Sequence, residues 1–390
     1  MKKLFAILLC IALCFATAAL AACGGDTGDG GDASGLTKDN IKIGFVHITD
    51  PSDMGYTYNH DLGTQKMAQN IGLSDSQIIN KFNIPEGSEC ETAVRELVEA
   101  GCNIIVATSF GHADYMLTVA AEYPDIVFAH ATGYHARFMG LDNYHNYFVD
   151  IFEARYLAGI AAGLKTETNK LGYVAAFPFA EVISGYTSFY LGAKSVNPDV
   201  TMEVMYANSW HDPATEAQVA QALIDRGADV ISQHSDSTAP ATTAEANGVW
   251  HVGYNADMIP AAPNASLVSA RADWSIYLTM LVQDVLDGKD IPADWSEGLA
   301  ANAVFLSPLN DAIVADGTAA AIDAAKAQII GGFHVFSGHL KDNDGNNAKI
   351  TTFEGDLIYE FTGPDSYFIE SNEFSAPDFN PIIEGIFVMD

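Results

Sequence analysis

Ile41-Lys42-Ile43-Gly44-Phe45-Val46 opens the folded part of the chain, and Lys170-Leu171-Gly172-Tyr173-Val174 opens it a second time. Each opening leads into the same series of elements. In the first half a helix closes at Gly101, the strand Asn103-Ile104-Ile105-Val106-Ala107 comes next, and a helix over about Tyr115 to Glu122 breaks at Pro124 before the strand Ile126-Val127-Phe128-Ala129. In the second half a helix from Glu216 to Asp225 stops at Gly227, Asp229-Val230-Ile231-Ser232 is the next strand, and a helix through Ala244 breaks at Gly248 before Val249-Trp250-His251-Val252. Short apolar runs alternating with helical patterns read as buried parallel strands in βαβ units, and Gly suits the turn after each helix because it adopts left-handed φ without strain. One order of elements used twice predicts a duplicated α/β fold with two Rossmann-like lobes.

In open parallel sheets a ligand sits beyond the carboxyl ends of the strands. That rule selects His47 to Asp61, Thr108 to Asp114 and His130 to His135 in the first half. In the second it selects Ala175 to Ser184, Gln233 to Thr238 and Gly253 to Asp257, with Trp210-His211-Asp212-Pro213 after a further strand at Glu203 to Ala207. These segments hold Tyr56, Tyr58, Phe110, Phe177, Phe179 and Trp210 beside Asp53, Asp61, Asp236 and Asp257. Flat apolar faces next to a few carboxylates suit a planar ligand with N–H donors on its edge, such as a heteroaromatic base. Taken singly, Phe177 and Phe179 read as core residues, whereas Tyr56 and Trp210 stand among polar neighbours.

The start of the chain is an address. Lys2 and Lys3 precede an apolar run from Leu4 to Leu20, which predicts a signal peptide over residues 1–22. Leu20-Ala21-Ala22 leads directly into Cys23, a sequence that resembles the bacterial lipobox and implies a lipid on Cys23. Gly24 to Gly35 has no apolar pattern, so residues 23–39 are expected to form a lipidated flexible tether. The chain is 49% hydrophobic and 11% aromatic, enough for a large core, and its formal charge of −32 argues against nucleic acid and anionic lipid as partners. Cys90 and Cys102 flank a helix read over Glu91 to Ala100, whose ends lie roughly 17 Å apart. A disulfide needs Cα atoms within about 7 Å, so two buried thiols are expected.

Enzyme and metal signatures are missing. The sequence contains no Gly-x-Ser-x-Gly, His-Glu-x-x-His or Walker loop, and His211, His234 and His251 have no partner at ligand spacing. His251 falls in a strand and reads as packed. His234, beside Asp236, either orients a base or caps a turn. Downstream, helices are read over Ser275 to Leu286 and Thr318 to Ile329, with a strand at Phe333 to Phe336. Asp342-Asn343-Asp344-Gly345 is a turn, since an EF-hand frame on Gly345 puts Leu340 and Thr351 where carboxylates are required.

From about Ile41 to Gly345 the chain resembles the basic membrane protein family of ABC-transporter substrate-binding lipoproteins, and within it the purine-binding subgroup. The likeness is carried by Gly55-Tyr56-Thr57-Tyr58-Asn59-His60-Asp61-Leu62-Gly63, Thr108-Ser109-Phe110-Gly111, His130-Ala131-Thr132-Gly133-Tyr134 and Asn197-Pro198-Asp199. It continues in Asn208-Ser209-Trp210-His211-Asp212-Pro213, Gln233-His234-Ser235-Asp236-Ser237 and Ala256-Asp257-Met258. The resemblance implies a type I periplasmic-binding-protein fold whose lobes are joined by a hinge of several crossings. Lobe 1 is expected over 40–150 plus about 270–315, and lobe 2 over 151–269 plus about 316–345. The extension 346–390 has no counterpart in the family. Tyr56 and Trp210 would sandwich a base, Asp236 and Asp257 would address its edge, and Tyr58, Phe110 and Gly253 complete the expected site. Tyr56 stands where base-binding relatives carry Trp. The Phe-Asn-Asp segment and later Lys of nucleoside-binding relatives are not found, which favours a free base.

The expectation is therefore an extracytoplasmic, lipid-anchored monomer that captures an adenine-like purine by hinge closure and serves an ABC permease and its ATPase. It needs no catalytic residue, metal or cofactor, and touches the membrane through its lipid alone. A nucleoside-binding protein of the same class, a ligand-sensing receptor and a secreted nucleoside-acting enzyme are the other readings open to the sequence.

Overall fold

The computed structural model describes residues 35–372 and 374–389. The signal peptide, Cys23 and most of the expected tether lie outside the described residues. Lobe 1 is built on β1 (Ile43–Val46), β2 (Ile78–Lys81), β3 (Ile104–Ala107), β4 (Val127–Ala131) and β5 (Tyr144–Val149), with α1 (Tyr56–Ile71), α2 (Ser88–Glu99), α3 (Ala113–Ala120) and the short α4 (Ala136–Met139) between them. Lobe 2 begins with α5 (Ile151–Lys165). It continues through β6 (Lys170–Ala175), α6 (Ala180–Val196), β7 (Thr201–Tyr206), α7 (Pro213–Asp225), β8 (Val230–Gln233), α8 (Ala239–Ala246), β9 (Trp250–Tyr254) and β10 (Ser266–Ala272).

The duplication is visible in the strand orders. The first sheet contains β5-β4-β3-β1-β2 and the second β10-β9-β8-β6-β7, the same permutation twice, with every neighbouring pair in both runs parallel. The chain then returns to lobe 1 for α9 (Ser275–Asp287) and β11 (Asp294–Glu297), which lies parallel beside β5. It crosses back for β12 (Val304–Leu306), antiparallel to β10. So the three crossings fall after Val149, after Ala272 and after Glu297. Within the segment expected in lobe 1 from about 270 to 315, residues 270–272 and 304–306 pair into the second sheet. There Leu306, Phe305 and Val304 pair with Ala270, Arg271 and Ala272, and the Arg271 guanidinium lies over the Phe305 ring.

α5 and α6 pack backbone to backbone. A Cβ on Gly192 would lie within 1.9 Å of the Tyr156 carbonyl oxygen, so only glycine lets the helices meet there. A continuous core runs from Ile43 and Phe45 in lobe 1 through Trp274 and Tyr277 to Tyr173 and Phe189 in lobe 2.

After α10 (Thr318–Ile330) come β13 (Phe336–Ser337), β14 (Lys349–Thr351), β15 (Leu357–Glu360), β16 (Tyr367–Phe368) and β17 (Ile386–Met389). β17 is parallel to β7 and closes the outer edge of the second sheet. The extension also reaches lobe 1: Ser375 N–H donates to Asp294 Oδ1 at 2.9 Å, and the Phe374 ring lies against Phe138 and under the Arg137 guanidinium. It spans both lobes.

Most expected elements stand within two or three residues of their places. α2 starts earlier than read and so contains Cys90, and the strand read at Phe333 to Phe336 shrinks to Phe336 and Ser337. Cys90 and Cys102 are free, buried thiols, and burial pushes them up to about 12 and about 11. The turn at 342–345 closes with Gly345 N–H on Asp342 O at 3.0 Å. Among the described residues no helix is long and apolar enough to cross a membrane.

Candidate functional site

The carboxyl ends of both sheets converge on one cavity. Lobe 1 supplies Ile48 after β1, Tyr56, Thr108 to Phe110 after β3, and Thr132 after β4. Lobe 2 supplies Glu181 after β6, Trp210 after β7, His234 and Asp236 after β8, and Tyr254 at the end of β9. Strand order reverses at β1/β3 and at β6/β8, so the cavity sits where doubly wound sheets place their ligands.

Tyr56 does not stand in a loop as the sequence suggests. It opens α1, because the Asp53 carboxylate accepts from Gly55, Thr57 and Tyr58 N–H at 2.8 to 3.0 Å and satisfies the free donors of that helix end. The Tyr56 hydroxyl donates to Thr108 O at 2.8 Å, and its ring rests against His60, which stacks on Trp274 at 4.1 Å. The ring is thus fixed before any ligand arrives.

Opposite lies an aromatic wall. Trp210 meets Phe177 edge-on at 5.0 Å, Phe177 stacks on Phe179 at 5.3 Å, and Phe179 meets Phe110 of lobe 1 at 5.2 Å. Phe177 and Phe179 are therefore rim residues rather than the core residues expected, held at the surface by each other and by Phe110. Trp210 Nε1 is buried without a hydrogen-bond partner among the described residues.

Asp236 joins the two lobes. Its Oδ1 accepts from Tyr56 N–H at 3.2 Å and from Asn255 Nδ2 at 3.0 Å, while Oδ2 takes no bond from the described residues. Burial, reinforced by the negative charges of Asp53 and Glu216, raises its pKa well above the ordinary carboxylate range. A Cβ on Gly55 would lie 2.7 Å from Asp236 Cα, so glycine at 55 is what lets the lobes close this far. Thr132 holds a φ of 62° at the cavity, an uncommon conformation for a β-branched residue.

A polar group unread in the sequence completes the wall. Glu181 stands at the start of α6, and His234 Nε2 lies 3.3 Å from its Oε1. Burial raises Glu181 to about 7, with Arg155 pulling down and Glu86 pushing up. His234 is held well below its usual range by burial and by Arg155, hence neutral. Arg155 is fully buried: its guanidinium sits 3.7 Å from the Tyr254 ring centroid and its Nη1 donates to Tyr173 Oη and Gln233 O. One buried cation thus packs on Tyr254, a lining residue, while two acids, Glu181 and Asp236, line the cavity.

Of the seven residues expected at the site, Tyr56, Phe110, Trp210 and Asp236 line the cavity and three do not. Tyr58 packs against the Val219–Met258 cluster of lobe 2. Gly253 lies inside β9, where a Cβ would strike Ser269 Oγ at 2.3 Å, so sheet packing explains it. Asp257 accepts from Ile259 N–H in its own turn, outside the cavity lining. His251 is packed, bonded to Gln233 and Ser266, and burial pushes it down to about 3. The described residues contain no group of three or more His, Cys, Asp or Glu able to hold a metal.

Comparison with known proteins agrees with this architecture. Residues 41–337 match the family model Bmp, described as ABC transporter substrate-binding protein PnrA-like. A purine-binding protein of Brucella abortus (strain 2308) is 36% identical over 316 residues, covering 79% of this chain and 87% of that protein. A Haloferax volcanii protein, provisionally named an ABC transporter glucose-binding protein, is 37% identical over 263 residues, 67% of this chain and 65% of its own length. Among solved structures, ABC transporter solute-binding proteins of Aeropyrum pernix K1 share the fold with a TM-score of 0.64 at 18% identity, over 75% of this chain and 92% of that one. With its two parallel-sheet lobes and its interlobe cavity, the chain belongs to the Bmp family of PnrA-like ABC transporter substrate-binding proteins.

Proposed function

We propose that this protein captures a purine base, adenine or a close relative, in the cavity between its lobes and presents it to an ABC permease. One observation carries the reading: a fixed Tyr56 ring and the Trp210 indole share the interlobe cavity with Asp236, a carboxyl with one oxygen held by protein donors and the other open. Aromatic faces take the flat rings, and the open oxygen accepts an N–H from the base edge. The Brucella relative's name as a purine-binding protein supports the ligand class.

Lobe closure supplies the mechanism. Lobe 1 brings Tyr56 and Phe110, lobe 2 brings Trp210 and Asp236, and a ligand touching both shifts the population toward the closed form. The closed pair of lobe surfaces is what the permease would recognise. No bond of the ligand is broken. Cys23, after Leu20-Ala21-Ala22, would carry the lipid that holds this monomer outside the membrane.

Calorimetric titration of refolded, ligand-stripped protein with adenine, guanine, hypoxanthine, adenosine, guanosine and glucose tests the reading. Saturable one-to-one binding of a free base, tighter than that of its nucleoside, is expected. Heat with glucose alone assigns the cavity to sugars, and no heat with any purine removes the purine assignment.

A further inference from the structure

The cavity holds a second carboxyl, and its surroundings define what it does. The Glu181 side chain is 11% exposed, and that of His234 is 2% exposed. A Cβ on Gly185 would lie 2.9 Å from His234 Nδ1 and 3.1 Å from Arg155 Nε, so the imidazole Nδ1 and the guanidinium share one confined space. His234 Nδ1 has no hydrogen-bond partner among the described residues, while Nε2 lies 3.3 Å from Glu181 Oε1, so the one ring proton of a neutral imidazole makes a bond only on Nε2. Neutral His234 therefore donates to Glu181 Oε1. Glu181 Oε2 takes no bond from the described residues, and the side chain lines the cavity. This repeats the arrangement at Asp236, where protein donors hold Oδ1 and leave Oδ2 open.

We infer that Glu181, oriented by His234, is a specificity-determining residue: its Oε2 accepts a second N–H from the ligand. The cavity then reads two donor positions, one at Asp236 and one at Glu181, and selects amino-bearing purines over those whose edge is carbonyl oxygen. This rests on the purine reading above. Above about pH 8, where Glu181 is ionised, a carbonyl oxygen facing it sets acceptor against acceptor, an unmade bond that costs about 1–3 kcal/mol.

The electrostatics supply a readout. Around Glu181 lie His234 after β8, Arg155 on α5, Tyr173 on β6, Tyr254 on β9, Glu86 from lobe 1, and Tyr56 and Asp236 in the cavity. Their balance, with burial foremost, leaves the empty protein's Glu181 at about 7. A ligand N–H on Oε2 favours the ionised form and lowers that value. Below about pH 7 the acid is protonated when empty and ionised when filled, so binding expels a proton. Above about pH 8 it is ionised in both states and expels none.

The experiment is calorimetry with adenine, hypoxanthine and 6-dimethylaminopurine at about pH 6 and about pH 8, each in two buffers of different ionisation enthalpy. For the wild type we expect proton release greater near pH 6 than near pH 8, any release by Asp236 being common to both, and adenine favoured at least about fivefold over 6-dimethylaminopurine. In Glu181→Gln, the difference between the two pH values is lost and the preference shrinks while purine binding persists. Unchanged release and preference in that variant overturn the inference and leave the purine reading standing. Should the variant not fold, the wild type decides: release equal at the two pH values belongs to another acid and overturns the assignment. A wild type that binds no purine brings down both.

Discussion

Asp236→Asn replaces one oxygen of the cavity's acid by nitrogen and leaves the rest of the geometry available. The amide oxygen still accepts from Tyr56 N–H and Asn255 Nδ2, so the bond that joins the lobes survives. The amide NH₂ takes the place of Oδ2 and meets the ligand's N–H as donor against donor. Leaving the ligand's N–H without an acceptor costs about 1–3 kcal/mol, or roughly 5- to 150-fold in Kd. Stability moves the other way. The folded pKa of Asp236 is raised, so its contribution is complete below the unfolded value and is lost as pH rises toward the folded one. An amide does not titrate. The variant's Tm should therefore gain on wild type as pH climbs from about 5 to about 8, while adenine affinity stays low throughout. Calorimetry and thermal melts across that range measure both. Affinity within about twofold of wild type, or a Tm difference independent of pH, would refute the role given to Oδ2 and to the buried acid.

Trp210→Ala removes one stacking face and should weaken base binding by about 1–3 kcal/mol, measured by the same titration, and should also lower Tm because the indole packs against the core. Gly55→Ala places a methyl 2.7 Å from Asp236 Cα, so the lobes must part. Overpacking costs about 1–3 kcal/mol, and small-angle scattering should find the ligand-bound form less compact than wild type, with affinity lowered roughly 5- to 150-fold. Phe374→Ala cuts the extension's aromatic and cation–π contacts with Phe138 and Arg137 on lobe 1. If the extension helps hold the lobes together, affinity falls about 5- to 30-fold with every cavity residue intact; an unchanged Kd shows the strap to be passive.

The duplicated fold was legible because buried parallel strands are continuous apolar runs, and Gly101, Gly227 and Gly248 mark the ends of helices with left-handed φ. Strand order was not written in those runs; it appears only in the pairing. β2, β5 and α6 escaped notice for a local reason. β2 is half-buried Ile-Ile-Asn-Lys, β5 mixes His and Asn into its apolar run, and α6 is apolar on nearly every face. Glu181 lies within the segment Ala175 to Ser184 selected by the strand-end rule, but in the first turn of α6 rather than in a loop.

At the site, placing a residue after a strand proved more informative than its type. Phe110, Trp210 and Asp236 all follow strands and line the cavity. Asp257 follows one too, yet its carboxyl turns back to Ile259 N–H. The apolar run Val249 to Val252 stops two residues short of the end of β9, so Gly253 lies in the strand, and it is Tyr254 that reaches the cavity. The signal that identified Asp53 as an acid near the ligand was sound in position and different in purpose, since that carboxylate caps α1.

The most direct measurement is a crystal structure of the ligand-stripped protein soaked or co-crystallised with adenine. The expected result is a base between the Tyr56 ring and the Trp210 indole, with Asp236 Oδ2 on its edge and contacts from both lobes. A base bound on one lobe alone, or in the groove formed by Asn59, Lys66, Arg271 and Phe305, with the interlobe cavity empty, would contradict capture by closure.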